Sequence, residues 1–589
     1  MTRVLLACFW CLTLSYSTLI YANATNLRVE LKGDLSKSIQ SNIYAHLGEL
    51  PKNKTQRTSF IFSAKENTEV ALQALGYYQS NIALSTQDFK DNKPWVLTID
   101  VTLNKPTRIK LIDINILGEA QSDPAFAELL EELPISENDI LNHRHYEEIK
   151  TRITSLGLSR GYFDGSLSKS RLEINEQLNQ AKIKITYQSG YRYKYGDINF
   201  SPFEIEPELL NVLIPFKPGD EFTTHSLYQL QDQLQRTQYF SNSLVMPDVE
   251  ASKGNIVPIN VNLSPTKSHF FDVGLGYGSD TKFRVSAGWR TPLLNRYGHK
   301  QETKIEYSKI NPTGRFTYSI PLSHPVDDLL QLQILAKDDE YGDISSKSYE
   351  FKVGNVKVLN QWNAQFYLRH LTENWRLLTV ENNPKAQFLL PGMSWTHTRR
   401  AGPALDPSWG FSQLYTFEVA SKEAYSEIDL IRAYARWRFI TTPLDRHRVV
   451  MRAELGSAFI DNDEKHLLAP SLRFFAGGSQ SIRGFDYNSL GSNIPIDGNE
   501  YGQDTLVIGG TQLAVASIEY QYYVTDNIRG VIFSDGGNAD EKEKFEFVYS
   551  VGSGIHYISP IGALRMDFGY TISEDDPSWK VHINLGMEL

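Results

Sequence analysis

Arg483 sits in an unusual setting. In RFFAGGSQSIRGFDY, residues 473–487, a glycine pair (Gly477 and Gly478) is followed by Ile482, Arg483, Gly484 and Phe485. A guanidinium stays charged at physiological pH and is forked, so its natural chemistry is a two-pronged grip on a carboxylate rather than proton or bond transfer. The three glycines let the backbone turn sharply around it. Further on, VIFSDGGNA places Phe533 and Asp535 two apart, on one face of any strand, with Gly537 behind them. Glu519, in SIEYQYY, offers another carboxylate.

Other motifs carry less. GLGYGS (274–279) resembles a nucleotide loop, but Gly274, Gly276 and Gly278 lie in an alternating segment with no helix after it. In GGSQS, Ser481 stands where a nucleophile elbow needs its second glycine. HRHYEE (143–148) opens a helical stripe and reads as solvated surface, since no other metal-ligating cluster accompanies it. No HExxH, Walker loop or acid/base pair is present, so neither an enzyme nor a metal or cofactor is expected. The net charge of −10, without a Lys/Arg block, argues against nucleic acid as a partner.

The elements that must position Arg483 and its carboxylates follow from periodicity. From about residue 265 the pattern alternates with period two. Trp579, Val581, Ile583 and Leu585 interleave with Lys580, His582 and Asn584, while Leu564, Met566, Phe568 and Tyr570 interleave with Arg565, Asp567 and Gly569. Ile518, Tyr520 and Tyr522 flank Glu519 and Gln521 in the same way. A soluble sandwich would alternate too. The number of such strands, the 31 Tyr, 29 Phe and 9 Trp, and an export signal favour a membrane β-barrel. A carboxylate facing lipid is costly, so Glu519 and Asp535 are expected on the lumenal side, with a polar lumen and an apolar, aromatic outer face. The 325 residues of 265–589 accommodate roughly 14 to 18 strands, and an even 16 is expected.

The export signal is Arg3 followed by VLLACFWCLTL and a small-residue site, with cleavage after residue 22 or 24. Cys8, in LLAC, imitates a lipoprotein site, but the apolar run before it is too short. Cys8 and Cys11 are the chain's only cysteines, so the mature protein is expected to lack thiols and disulfides. Between the signal and residue 264 a unit repeats: ALGYYQS, SRGYFDG and RTQYFSN place Tyr77, Tyr162 and Tyr239 at 85- and 77-residue spacing. Asp113-Ile114-Asn115-Ile116 and Asp197-Ile198-Asn199-Phe200 echo each other 84 residues apart. Helical stripes lead into the aromatic pairs at Tyr146, Ile149, Ile153 and Leu156, and at Leu227, Leu230 and Leu234. Three β-α-α-β-β domains are expected at 25–105, 106–188 and 189–264, with the aromatic pairs sealing helix against sheet.

RFFAGGSQSIRGF closely resembles the loop signature of the BamA/TamA superfamily of outer-membrane assembly barrels. That resemblance implies a long extracellular loop folded into the lumen of a 16-stranded barrel (265–589). The tip Ile482-Arg483-Gly484-Phe485 would contact Phe533, Asp535 and Gly537 on the wall, and Arg483 would pair with Asp535 and with Glu519. It also implies that the first strand, with Gly274, Gly276 and Gly278, pairs weakly with the last as a lateral gate; a strand kinked to close the barrel explains those glycines equally well. Within the superfamily the match runs to the TamA branch. Three repeats fit its three POTRA domains, and LRFFAGG, LDRHR (444–448), SIEYQY and the terminal LGMEL all look like its segments, although Met587 replaces the usual proline. The implied function is outer-membrane assembly and translocation of β-barrel proteins and autotransporters. POTRA domains in the periplasm would dock a TamB-like partner spanning from the inner membrane; unfolded barrel clients and outer-membrane lipid are the other partners. The alternatives are a two-partner secretion pore, which usually has two POTRA domains and a plug helix, and an outer-membrane terminus for lipid transport.

Overall fold

The computed structural model describes residues 27–87, 95–377, 383–403, 405–495, 505–560, 562–573 and 577–586. The segment expected to be an export signal, with Cys8 and Cys11, and the terminal Met587 to Leu589 lie outside them. The chain forms two compact units, one of 1–199 with 216–228 and 246–260, the other of 200–215 and 229–245 with 261–589.

In the first unit a strand–helix–helix–strand–strand order occurs twice. It runs through Leu27–Lys32, Lys37–Leu47, Lys54–Ala74, Asn81–Gln87 and Trp95–Thr102, then through Arg108–Leu117, Pro124–Glu131, His143–Ser159, Ser166–Asn175 and Gln180–Gln188. Each time the last strand is central, parallel to the first and antiparallel to its hairpin partner. The stripe read from the sequence explains the packing. Asn142 caps helix His143–Ser159 by accepting from the Arg144 amide at 3.0 Å. Tyr146, Ile149 and Ile153 are buried in one apolar cluster with Ile183, Ile185 and Tyr187 of the central strand. Tyr162 is buried there, while Tyr77 is partly buried against the first domain's core. A third three-stranded sheet has the order Lys194–Phe200, Ile256–Pro265, Phe240–Pro247.

One expectation needs correcting. HRHYEE is not simply a solvated helix start, because half-buried His143 meets the Tyr78 hydroxyl at 2.5 Å. The helix cap puts the imidazole beside the aromatic pair of the preceding repeat rather than in water. In the same domain Asp123 caps helix Pro124–Glu131 through the Ala125 amide at 3.1 Å. It also accepts from Arg160 Nε at 2.6 Å and from the Tyr162 hydroxyl at 3.2 Å.

The second unit contains sixteen antiparallel strands, from Phe270–Gly278 to Trp579–Gly586, closed into a barrel with sequence neighbours side by side. Neighbouring strands pair their backbones around the ring, the condition for crossing lipid with strands. The alternation is read out directly on the twelfth strand, Gln512–Tyr523. Ile518 is 52% and Tyr520 37% exposed on the outer face, whereas Glu519 and Gln521 are buried on the other. The inner face departs from a uniformly polar lumen. Leu371, Phe388, Leu390 and Leu430 on the wall form an apolar core with Leu472, Phe474, Ile482 and Phe485 from the long connection after the eleventh strand. Part of the inner face therefore packs against chain rather than water.

Candidate functional site

The eleventh strand (His447–Phe459) and the twelfth are joined by residues 460–511, which hold short 3-10 turns and a two-strand ribbon, Asn493–Pro495 with Thr505–Val507. Bridges at Phe474↔Gly510 and Ala476↔Leu490 narrow the segment toward a tip at 477–487. The tip is internally tied: Gly478 N–H donates to the Phe485 carbonyl at 3.1 Å, and Ser481 N–H to the Gly478 carbonyl at 3.1 Å.

Arg483 is 1% exposed and lies against the face of the wall opposite the exposed apolar side chains. Its Nε donates to Asp535 Oδ2 at 2.8 Å and Nη2 to Asp535 Oδ1 at 2.9 Å, a bidentate clasp, and its backbone N–H reaches the same carboxylate at 3.0 Å. Nη1 donates to Glu519 and, at 3.5 Å, to Asp567 Oδ2. The guanidinium carbon stands 3.3 Å above the Phe533 ring, adding a cation–π contact. The twelfth, thirteenth and fifteenth strands supply this cage, and the fourteenth contributes His556 behind Asp567. Register sets Ser517 opposite Asp535, Glu519 opposite Phe533, and Gly554 opposite Asp567. The carboxylates are themselves oriented: Ser517 Oγ donates to Asp535 at 2.6 Å, Gln521 donates to Glu519, and His556 Nε2 meets Asp567 at 2.9 Å. Burial alone would ease the proton off Arg483, but Asp535, Glu519 and Asp567 hold it more firmly protonated than usual.

Two glycines explain how a backbone comes this close. Gly484 has φ of +110°, left-handed space that favours glycine. A Cβ on Gly569 of the fifteenth strand would lie 2.5 Å from the Gly484 nitrogen, so the wall must be bare where the tip rests. Ile482 and Phe485 point into the apolar core rather than onto the charged cluster. Gly537 has φ of +148° on the thirteenth strand, Ile528–Asp540.

The other end of the tip meets a second carboxylate. Asp280, in the turn between the first two barrel strands, accepts from Ser479 N–H at 2.8 Å and Ser479 Oγ at 2.6 Å. On its other oxygen it accepts from His582 Nδ1 of the last strand at 3.3 Å. Burial works against its charge, yet these bonds from His582 and Ser479 hold the carboxyl down at about 2. Nearby, the first strand follows the second from Phe270↔Arg290 to Gly278↔Lys282. Toward the last strand its one register pair among the described residues is Gly278↔Asn584, continued by Ser279 N–H to the Ile583 carbonyl at 2.9 Å. Gly274, Gly276 and Gly278 all lie in this strand, and none has positive φ. A Cβ at Gly278 would come within 2.9 Å of Asn584 Oδ1, whereas Gly276 has nothing nearer than 4.0 Å.

The geometry therefore joins Arg483, Asp535, Glu519 and Phe533, and separates them from Phe485 and from the three first-strand glycines. Sequence reading missed Asp567, Ser517, His556 and Asp280. Asp567 showed itself on the charged side of its alternating strand, but which strands stand around the loop tip was not legible. No motif or alternation in the sequence marked Asp280. Chemically, the arrangement is a fastening that holds a loop by charge and hydrogen bonds.

Comparison with known proteins places these features. Residues 248–588 match the Omp85 superfamily domain, 28–103 the POTRA domain described as TamA domain 1, and 109–190 the POTRA family described as a surface antigen variable number repeat. The outer membrane protein assembly factor BamA of Neisseria meningitidis serogroup B is 19% identical over 647 residues, covering 83% of this chain and 79% of that protein. The crystal structure of BamA from Haemophilus ducreyi lacking POTRA domains 1–3 is 15% identical, with a TM-score of 0.68, covering 81% of this chain and 99% of that one, a likeness of fold.

Proposed function

The chain belongs to the Omp85 superfamily, and from that premise we propose that it is a TamA-type assembly factor of the outer membrane, aiding insertion of β-barrel proteins and autotransporters. The observation that carries this reading is the unevenly closed barrel. Fifteen neighbouring strand pairs run alongside each other over most of their length, whereas among the described residues the first and last share one register pair, Gly278↔Asn584. A client strand gains main-chain hydrogen bonds wherever such an edge is free, the physical basis of β-augmentation. Gly274, Gly276 and Gly278 weaken that edge further, because they bring no side chains to pack across it.

On this reading residues 25–105, 106–188 and 189–264 are three POTRA domains in the periplasm, 265–589 is the membrane barrel, and 460–511 is an inward-folded extracellular loop. The match of 28–103 to a TamA first domain supports the TamA assignment. The strand order of the third sheet, the same as in the first two, supports the count of three. Edge strands such as Asn81–Gln87 are exposed for docking a TamB-like protein anchored in the inner membrane. The barrel would also aid insertion by thinning the bilayer near this seam.

Quantitative proteomics of outer membranes tests this, comparing cells with and without the gene, restored with full-length protein or with a form lacking residues 25–264. Loss of particular barrels or autotransporters, restored by the full-length form alone, is the expected result. Unchanged barrels with a retained soluble secreted protein would replace assembly by a secretion pore.

A further inference from the structure

The loop tip carries polar groups at both ends: Arg483 in its carboxylate cage and, four residues earlier, Ser479 on Asp280. Asp280 is not simply another wall residue. It belongs to the turn that ends the first strand, and its second oxygen receives His582 from the last strand. One carboxylate therefore touches all three parts: the first strand's turn, the last strand and the loop. Its surroundings fit that role. Asp280 approaches Gly478 so closely that a Cβ there would lie 3.0 Å from its Oδ2, and Gly478 has φ of +98°. Beyond Asp280, the seam among the described residues holds one register pair, the Ser279–Ile583 bond, and a weak return bond from Ile583 N–H to Ser279 Oγ at 3.3 Å. A second link from tip to last strand, Lys580 to Asp486 at 2.8 Å, is largely exposed and contributes little.

We infer that Asp280 is a positioning residue that makes closure of the first–last strand seam depend on the seating of the loop tip. With the tip in place, Ser479 donates twice to Asp280 and fixes its carboxylate where His582 can reach it. When the tip leaves, the carboxylate loses two of its four donors, both of those on Oδ2, and keeps only Ser279 Oγ at 3.1 Å and the long 3.3 Å contact from His582 on Oδ1. It is then free to turn about that short local bond, and the bond to the last strand weakens with it. The tip's own backbone bonds, Ser481 to Gly478 and Gly478 to Phe485, keep residues 478–485 together, so release at Arg483 is transmitted to Ser479. This inference deepens the assembly reading and rests on it only for its use. The coupling itself is a property of the barrel and can fail or hold independently.

Hydrogen exchange by mass spectrometry on the full-length chain in lipid nanodiscs tests it, following peptides of the tip (473–490), the first strand (270–278) and the last strand (579–586), with 328–341 as a reference. Arg483→Ala and Ser479→Ala should each accelerate exchange in both seam strands by about tenfold, the scale of lost charge-assisted hydrogen bonds, while the reference strand keeps its rate. Ser479→Thr, which retains the hydroxyl, should restore the seam. In an Asp280→Ala background the seam should already exchange fast, and adding Arg483→Ala should change it no further, a non-additivity that a merely structural aspartate would not produce. A loop that loosens in Arg483→Ala while the seam holds its rate would overturn the inference. So would a seam that responds to Asp280→Ala but to neither loop variant. Loss of barrel clients in cells with the coupling absent would leave the assembly reading standing without it.

Discussion

Removing the Arg483 side chain as Arg483→Ala has a cost that can be worked from the cage. It deletes the clasp on Asp535 at 2.8 and 2.9 Å, the bond to Glu519, the 3.5 Å contact to Asp567 and the ring contact with Phe533. Three buried carboxylates are left facing one another. Breaking a buried pair by removing one partner costs about 3–5 kcal/mol. Two features draw the value to the lower end. The backbone N–H of residue 483 still reaches Asp535 at 3.0 Å, and Arg452 Nη2 stands 3.9 Å from the same carboxylate. About 3 kcal/mol then corresponds to more than about a hundredfold rise in the open population of the tip. The assay is hydrogen exchange of residues 473–490 in the folded, membrane-embedded barrel, where exchange through local opening reports that population. Arg483→Lys, which keeps charge but loses the fork, should fall between wild type and Arg483→Ala. Tip exchange in Arg483→Ala within about threefold of wild type would refute the reasoning, because the cage would then contribute nothing to holding the loop.

Gly569→Ala should displace the tip, since its Cβ would fall 2.5 Å from a backbone nitrogen, whereas Gly530→Ala, with nothing within 4 Å, should be silent; protease sensitivity of the loop compares them. Phe533→Leu should leave the ion pairs intact but remove the ring beneath Arg483, loosening the tip several-fold, as expected for a cation–π contact of about 0.5–2 kcal/mol, read by the same exchange experiment. In the second domain, burial would raise the Asp123 carboxyl, but the bonds from Arg160 and the Ala125 amide, with the charges of Arg160 and Arg192, hold it below its ordinary value. Its contribution is therefore complete above the unfolded value near pH 4 (about 3.9) and is lost as pH falls through the lower folded value. Asp123→Asn should accordingly destabilise helix 143–159 at pH 7 by about 1–2 kcal/mol and by progressively less below pH 4, measured by urea unfolding of the full chain with pulse exchange at that helix.

Alternation made the barrel legible because lipid and interior impose opposite demands on successive side chains. Ile518, Glu519 and Tyr520 divide between the two faces as their polarity requires. The aromatic repeat was legible for a similar reason: Tyr162 closes a helix over a sheet, and burial there leaves a periodic trace. Asp567 and Asp280 were hidden because alternation tells which side a residue faces and says nothing of which distant strand or loop lies opposite. The apolar inner cluster was hidden as well. Phe388 and Leu390 sit on the inner face, where a polar lumen was expected, because Leu472, Phe474 and Ile482 arrive from another part of the chain to cover them. His143 was read as surface because its partner, Tyr78, belongs to the preceding repeat.

The most direct measurement is folding of a small unfolded β-barrel protein into liposomes carrying the full-length chain, with protein-free liposomes and liposomes carrying an unrelated barrel as references, scored by the shift in gel migration between unboiled and boiled samples. Faster folding than in both references, lost when a disulfide between cysteines substituted for Gly278 and Asn584 locks the seam, is the predicted result. Folding no faster than beside the unrelated barrel, or equally fast with the seam locked, would contradict insertion through that seam.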